Sequence, residues 1–364
     1  MKNKMVNKLW IGLFVVFLLS GVFSQNVFAA TKSKLLQGVV TSVLSKEEVN
    51  IEVFDPQTNS SVGYKVKTFS DNYITKPTYS VGDRVIVSVD NVNNKQVASI
   101  VERERTIPYA IIIGLFFLVV AFIGRFRGVL SILAMAASFL FLTGVTIPQI
   151  IAGVDPVMMS LLTGLIVVPL TFYISHGFSN QTTLAVISTL LALVITGILA
   201  VVFTQLAFLT GYTTDEATAV SFRFGESFKL SNILIAGMII SSMGVLDDVT
   251  ISQIDIVYSL SKAKPDMKKP ALFAEAMKIG RDHIASLVNT LVLVYVGAAL
   301  PLFLIIYKSD TPLWIILQKE SIAEELVRTV VSSIGIILAV PIATFFGVKW
   351  GRKKVGLLQR ERLF

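Results

Sequence analysis

The sequence predicts an all-α polytopic membrane protein of about seven transmembrane helices, carrying a small N-terminal extracytoplasmic all-β domain of OB-like type. Three observations predict it. Hydrophobic residues make up 54% of the chain and charged residues only 15%, where soluble domains are roughly a quarter charged. After position 106 the apolar residues gather into runs of the length that crosses a hydrocarbon core, about 20 residues. Before it, residues 31–106 are short β-branched runs separated by turn-forming pieces.

Residues 1–30 read as a signal peptide or an N-terminal anchor. Lys2, Lys4 and Lys8 precede the apolar LWIGLFVVFLLSGVF, and Val27-Phe28-Ala29 offers small residues where signal peptidase cuts. Either reading places the following residues outside the cytoplasm. In 31–106, LLQGVVTSVLS, NIEVFD, YKVKTF, DRVIVSV and QVASIVERE are the strand candidates. DPQTNSSVG, SDNYITKPTYSVGD and DNVNNK are the connections, with Gly82-Asp83 a hairpin or bulge signal. Five or six strands in so short a domain predict a small antiparallel barrel. A lid, a partner-docking surface and a structural cap are the roles open to it.

The apolar segments of the bundle, 107–348, are roughly 107–123, 128–147, 156–175, 182–209, 231–260, 284–307 and 326–348. Basic residues orient them. Arg125 and Arg127, then Lys262, Lys264, Lys268 and Lys269, then the basic tail 349–364, fall in alternate connections. The intervening connections hold few Lys or Arg, so the positive-inside rule puts the β domain outside and the C-terminus in the cytoplasm. The predicted location is the cell (cytoplasmic) membrane, with lipid as the surrounding partner. The connection 210–230 alternates acidic and basic residues and reads as a solvated loop or a short interfacial piece. Pro301 and Pro341 should kink the last two segments.

Polar residues inside two of these segments are the candidate site. The fifth reads SNILIAGMIISSMGVLDDVTISQ, with Asp247 and Asp248 where hydrophobicity should peak. A charge there costs about 2.5–3.5 kcal/mol on insertion scales, so such groups face a cavity or a partner. At helical spacing Ser241, Gly244, Asp248, Ser252, Asp255 and Ser259 form one stripe, with Asp247 off it beside Thr250. The sixth segment offers a second stripe, Asp282, Ser286 and Asn289, with Arg281 one position away. The two stripes can face each other across a wet crevice, with Arg281 the expected partner of one aspartate. The competing reading is a structural seam in which small and polar residues hold helices in register. Glu324 and Arg328, four apart, suit an exposed ion pair at the start of the last helix.

Several function classes are excluded or weakened. The chain has no Cys and two His, which removes thiol chemistry and makes a zinc site improbable, so no metal and no cofactor is expected. The formal charge of +8 lies beside apolar runs, as topology requires, and not on a nucleic-acid face. GxSxG, GxxxxGK[ST] and HExxH are absent, so the chain is not expected to be a hydrolase, an NTPase or any other enzyme.

The run MGVLDDVTISQ and the block IGRDHIASLVNTLVLVYVGAALPL closely resemble the YibE/F family of prokaryotic multi-pass membrane proteins. The likeness extends over about 107–348. The family's signature positions match at Gly244, Asp247, Asp248, Thr250, Gly280, Arg281, Asp282, Asn289 and Thr290. Ser241-Ser242 departs from the Gly-Ala type of pair expected there, a small swap that keeps close helix packing plausible. The resemblance implies the architecture and, by analogy, transport, without a substrate.

The functional expectation is therefore a secondary transporter or permease. Asp247, Asp248, Thr250, Ser252, Asp255, Arg281, Asp282 and Asn289 would bind a proton, a cation or a cationic solute. The alternative is a non-transporting scaffold or assembly factor that binds an extracytoplasmic protein, or a second copy of the chain, through its β domain.

Overall fold

The computed structural model describes residues 34–45, 48–55, 60–67, 78–92, 95–225, 228–308 and 310–351. The expected signal peptide and most of the basic tail lie outside the described residues. Two compact units part between Val120 and Ala121.

The first unit is a five-stranded antiparallel sheet: β1 (Lys34–Val43), β2 (Glu48–Asp55), β3 (Ser60–Lys67), β4 (Arg84–Val92) and β5 (Lys95–Arg103), in the order β3-β2-β1-β4-β5. Alternation decides its inside. Val40, Val49, Ile51, Val53, Val85 and Val87 are buried, and their strand neighbours, Ser88 apart, are partly or fully exposed. Gly82-Asp83 is a turn, with Gly82 at φ +93°. It pairs with β1, since Gly82 N–H donates to the Val40 carbonyl at 2.8 Å and Val40 N–H to the Asp83 carbonyl at 2.9 Å. Arg103 closes on Asp83 at 2.5 Å.

The rest is helical: α1 (Thr106–Phe141), a π-helical turn (Leu142–Thr146), α2 (Ile147–Ile151), α3 (Pro156–His176), α4 (Asn180–Leu206), α5 (Asp215–Phe224), α6 (Leu230–Ala263), α7 (Lys269–Ala298), α8 (Leu300–Tyr307), α9 (Leu313–Ile316), α10 (Glu320–Phe346) and a second π-helical turn (Gly347–Gly351). Five of these are long and apolar enough to cross a membrane, or six if the bent pair α7–α8 is one span. The chain is thus a multi-pass membrane protein. The first two expected segments run together as Thr106–Ile151, 46 residues, interrupted where Arg125 leaves helical geometry at φ 50°, ψ −138°. The sixth begins earlier than expected, at Lys269, and bends by 66° between α7 and α8. Pro301 explains the bend, since its ring has no N–H to continue the helix and would clash with the carbonyl four residues back. α10 continues helically through Pro341. The connection 210–230 holds α5, a short helix with no buried residue, capped by the Thr214 hydroxyl.

The interior of the bundle is mostly apolar, threaded by buried Ser, Thr and Gln side chains, with Leu193, Met238, Ile239, Leu246, Ile254 and Ile336 fully enclosed. Because lipid is as apolar as these side chains, close approach and interhelical hydrogen bonds hold the helices together. Gly335 of α10 lies where an added Cβ would overlap the Thr196 hydroxyl of α4. Thr189 meets Thr250 at 2.6 Å, Ser242 meets Ser332 at 3.1 Å, and Asn180 donates to the Tyr258 hydroxyl at 2.8 Å.

Candidate functional site

The site is built on α6, which lies between α3, α4 and α10. Two contacts fix α6 against α3. Toward the start of both helices, Asn232 donates to Asp155 at 2.6 Å, and Asp155 also caps α3 by accepting from Met158 N–H at 2.9 Å. Fifteen residues further along α6, the Thr171 hydroxyl reaches Asp247 Oδ2 at 3.3 Å. The near-constant sequence offset of the two pairs means that α3 and α6 run parallel and in register, which brings Thr171 to Asp247.

Asp247 sits near the middle of α6, mostly buried. Its Oδ1 is enclosed and has no hydrogen-bond partner among the described residues. Its Oδ2 has only Thr171, whose single proton also faces the Val168 carbonyl at 2.9 Å. A hydroxyl donates once, and the shorter contact is the one within its own helix, so Asp247 is weakly held on one oxygen and unheld on the other. Among the described residues no basic side chain forms an ion pair with it. Leaving a buried carboxylate in this state is costly. The arrangement is one that a proton, or a cation entering the site, would relieve.

The other predicted residues separate into two groups. Thr250 is fully buried, its hydroxyl placed between Thr189 and the Asp247 carbonyl, 3.2 Å away. Ser252 is half-buried, while Asp248 and Asp255 are exposed on the outer side of α6. His176, at the end of α3, lies within charge-interaction range of Asp248, Asp255 and Arg127. The second stripe does not join them. Arg281, Asp282 and Asn289 are exposed on α7, and Arg281 hydrogen-bonds the Met277 carbonyl of its own helix at 3.3 Å. The expected Arg281–aspartate pair and the facing stripes are therefore corrected. α6 meets α7 through a different set of residues.

That set is centred on Gln253, which is fully buried. Its amide nitrogen donates to the Ala276 carbonyl of α7 at 3.0 Å and to the Thr344 hydroxyl of α10 at 2.8 Å. A Cβ at Gly280 would lie 2.6 Å from Val340 and 2.9 Å from the Gln253 amide. The seam between α6 and α7 is thus set by a glutamine and a glycine, and the charged stripes stay off it. Sequence reasoning missed Gln253 and Thr171. A lone glutamine within the apolar run after Asp247 was the available signal for the first, while Thr171 carried none. The Glu324–Arg328 pair also differs from expectation. Glu324 is only 7% exposed, bonded to Arg328 at 2.8 Å and to the Thr213 hydroxyl.

Residues 112–353 match the family model described as YibE/F-like protein. The chain belongs to the YibE/F-like family. The match takes in every helix that forms the site and both sequence blocks that carry the resemblance. No curated protein and no solved structure matches the chain. Family membership therefore supports a membrane protein built as described, and the chemistry of this YibE/F-like chain has to be argued from Asp247 and its surroundings. Among the described residues no three His, Asp or Glu side chains converge as a metal site.

Proposed function

We propose that this protein is a secondary transporter or permease of the cell membrane in which Asp247 binds and releases a proton, a cation or a cationic solute. The observation that carries the reading is the enclosed Asp247 Oδ1 with no partner among the described residues, at mid-helix, in a family member that lacks any nucleotide-binding motif. Asp248 and Asp255, beside His176, supply an acidic approach from the exposed side of α6. Thr250 fixes the backbone of the carboxylate pair, and Ser252 lies one turn along. Arg281, Asp282 and Asn289 act, in this reading, only after a movement of α7 that brings them toward α6.

The finer architecture belongs to the same proposal. The apolar run 107–123 and the run 128–147 are two separate spans that turn at Arg125, which makes seven spans with the β domain outside and the C-terminus inside. The sheet is an OB-like barrel: β1 is shared between the β2–β3 and β4–β5 hairpins, and the two outer strands, β3 and β5, approach each other.

The test is complementation and ligand-dependent thermal stabilisation with Asp247→Asn, alone and combined with Asp248→Asn. The transporter reading expects both variants to fold, to lose complementation of a deletion strain, and to lose any stabilisation by protons or cations. Full rescue by the double variant would end it. The scaffold alternative is favoured by the exposure of Asp248, Asp255, Arg281 and Asn289, which leaves polar faces for another chain. It expects the reverse pattern: deletion of 31–105 abolishes function while the double Asn variant keeps it.

A further inference from the structure

The bend between α7 and α8 opens an apolar crevice of about 530 Å³ against α10, well away from Asp247 in sequence and lined by none of the residues assigned to it. Small-molecule sites fall at about 300–1,000 Å³ and combine apolar walls with a few fixed polar groups. Here Val292, Val296 and Phe303 form one wall. The α10 wall carries a polar ladder at four-residue spacing, Glu325, Thr329 and Ser333, on one face of the helix.

The two ends of that ladder are unfinished. Ser333 is buried, yet its hydroxyl has no partner among the described residues. Thr329, Thr290 and Thr344 each bond the carbonyl four residues back, the usual outcome for a hydroxyl inside a helix, and Ser333 does not. At the other end one guanidinium serves two carboxylates, since Arg328 bonds Glu324 at 2.8 Å and Glu325 at 2.8 Å. Glu324 uses its second oxygen on Thr213. Glu325, which lines the crevice, uses only Oε1 among the described residues, so the Glu324–Glu325–Arg328 cluster carries one negative charge in excess.

We propose that this crevice binds an amphipathic cation, its apolar body between α7–α8 and α10 and its charge at Glu325. The crevice holds one compact apolar group, and charge complementarity selects a cation over an anion of the same shape. This site is separate from the Asp247 reading and stands without it.

A charge-reversed pair of probes tests the proposal: tetraphenylphosphonium and tetraphenylborate, equal in shape and apolar surface. Binding of each is measured to the full chain in phosphatidylcholine nanodiscs, with empty nanodiscs subtracted. The expected result is saturable phosphonium binding with no saturable borate component. Glu325→Gln weakens it by about tenfold or more, and Val296→Trp, which fills the crevice, removes it. Each variant is first checked for wild-type unfolding temperature and monodispersity, and the two disturb different elements, so misfolding of one leaves the other. No saturable phosphonium binding, equal binding of both ions, or binding that survives both Glu325→Gln and Val296→Trp overturns the proposal. Loss in Asp247→Asn with retention in Glu325→Gln also overturns it and moves the cation site to α6.

Discussion

Thr171 has one hydroxyl proton and two acceptors, the Val168 carbonyl at 2.9 Å and Asp247 Oδ2 at 3.3 Å, and Asp247 Oδ1 has no partner among the described residues. A residue kept for stability would not be left this way, because an isolated buried carboxylate is among the costliest groups a fold can hold. Asp247→Asn should therefore leave the protein as stable as wild type or raise its unfolding free energy by about 1 kcal/mol, measured by denaturation in detergent at neutral pH. A loss beyond about 2 kcal/mol would show that the carboxylate is structural. Asp248 is exposed, and Asp248→Asn should stay within about 0.5 kcal/mol of wild type. This contrast between adjacent residues was only half legible in the sequence. Two aspartates in an apolar run marked the place, and helical projection separated them by about 100°. Which one pointed inward depended on where α3 packs, and no periodicity within α6 carries that information.

Helix packing separates two glycines that the family resemblance treats alike. A Cβ at Gly280 would meet Val340 at 2.6 Å and Gln253 at 2.9 Å, whereas one at Gly244 would meet nothing within 4 Å. Gly280→Ala should thus force α7 away from α6 and α10 and cost about 1–3 kcal/mol. Gly244→Ala should be neutral or stabilising, by up to about 1 kcal/mol, through helix propensity alone. Thermal unfolding of the two single variants checks both, and equal effects would mean that the seam at Gln253 does not pack as described. A functional loss in Gly244→Ala without loss of stability would mark that open face of α6 as the side where something approaches. At this scale the strands and helices were largely readable, since alternation and apolar run length are properties of each segment alone. The α6–α7 contact was not. Charge matching pointed to Arg281, but a guanidinium at an exposed position gains little by reaching a buried aspartate, while a glutamine and a glycine can close the same interface without desolvating a charge.

At the scale of the whole molecule, the length of the apolar chain from Thr106 to Ile151 bears on how many times it crosses the bilayer. At about 1.5 Å per residue a helix of that length is more than twice as long as a hydrocarbon core of about 30 Å is thick. A single crossing would leave an apolar half outside lipid, where nothing in the segment's most hydrophobic window is buried by the protein. Two crossings need a turn, and Arg125 is where helical geometry fails, with Gly124 before it and Arg127 two positions on, the two arginines favouring the cytoplasmic side. The absence of native cysteine makes the test direct, because single-cysteine variants carry no background. Glu104→Cys, Arg127→Cys and Val154→Cys are each exposed to a membrane-impermeant maleimide in intact cells. Seven spans require labelling at 104 and 154 and protection at 127 until the membrane is opened, with Lys264→Cys protected in the same way. Protection at both 104 and 127 would mean that the segment crosses once. The bundle would then have six spans, and the sheet would lie on the cytoplasmic side, where it cannot serve as an outer docking domain.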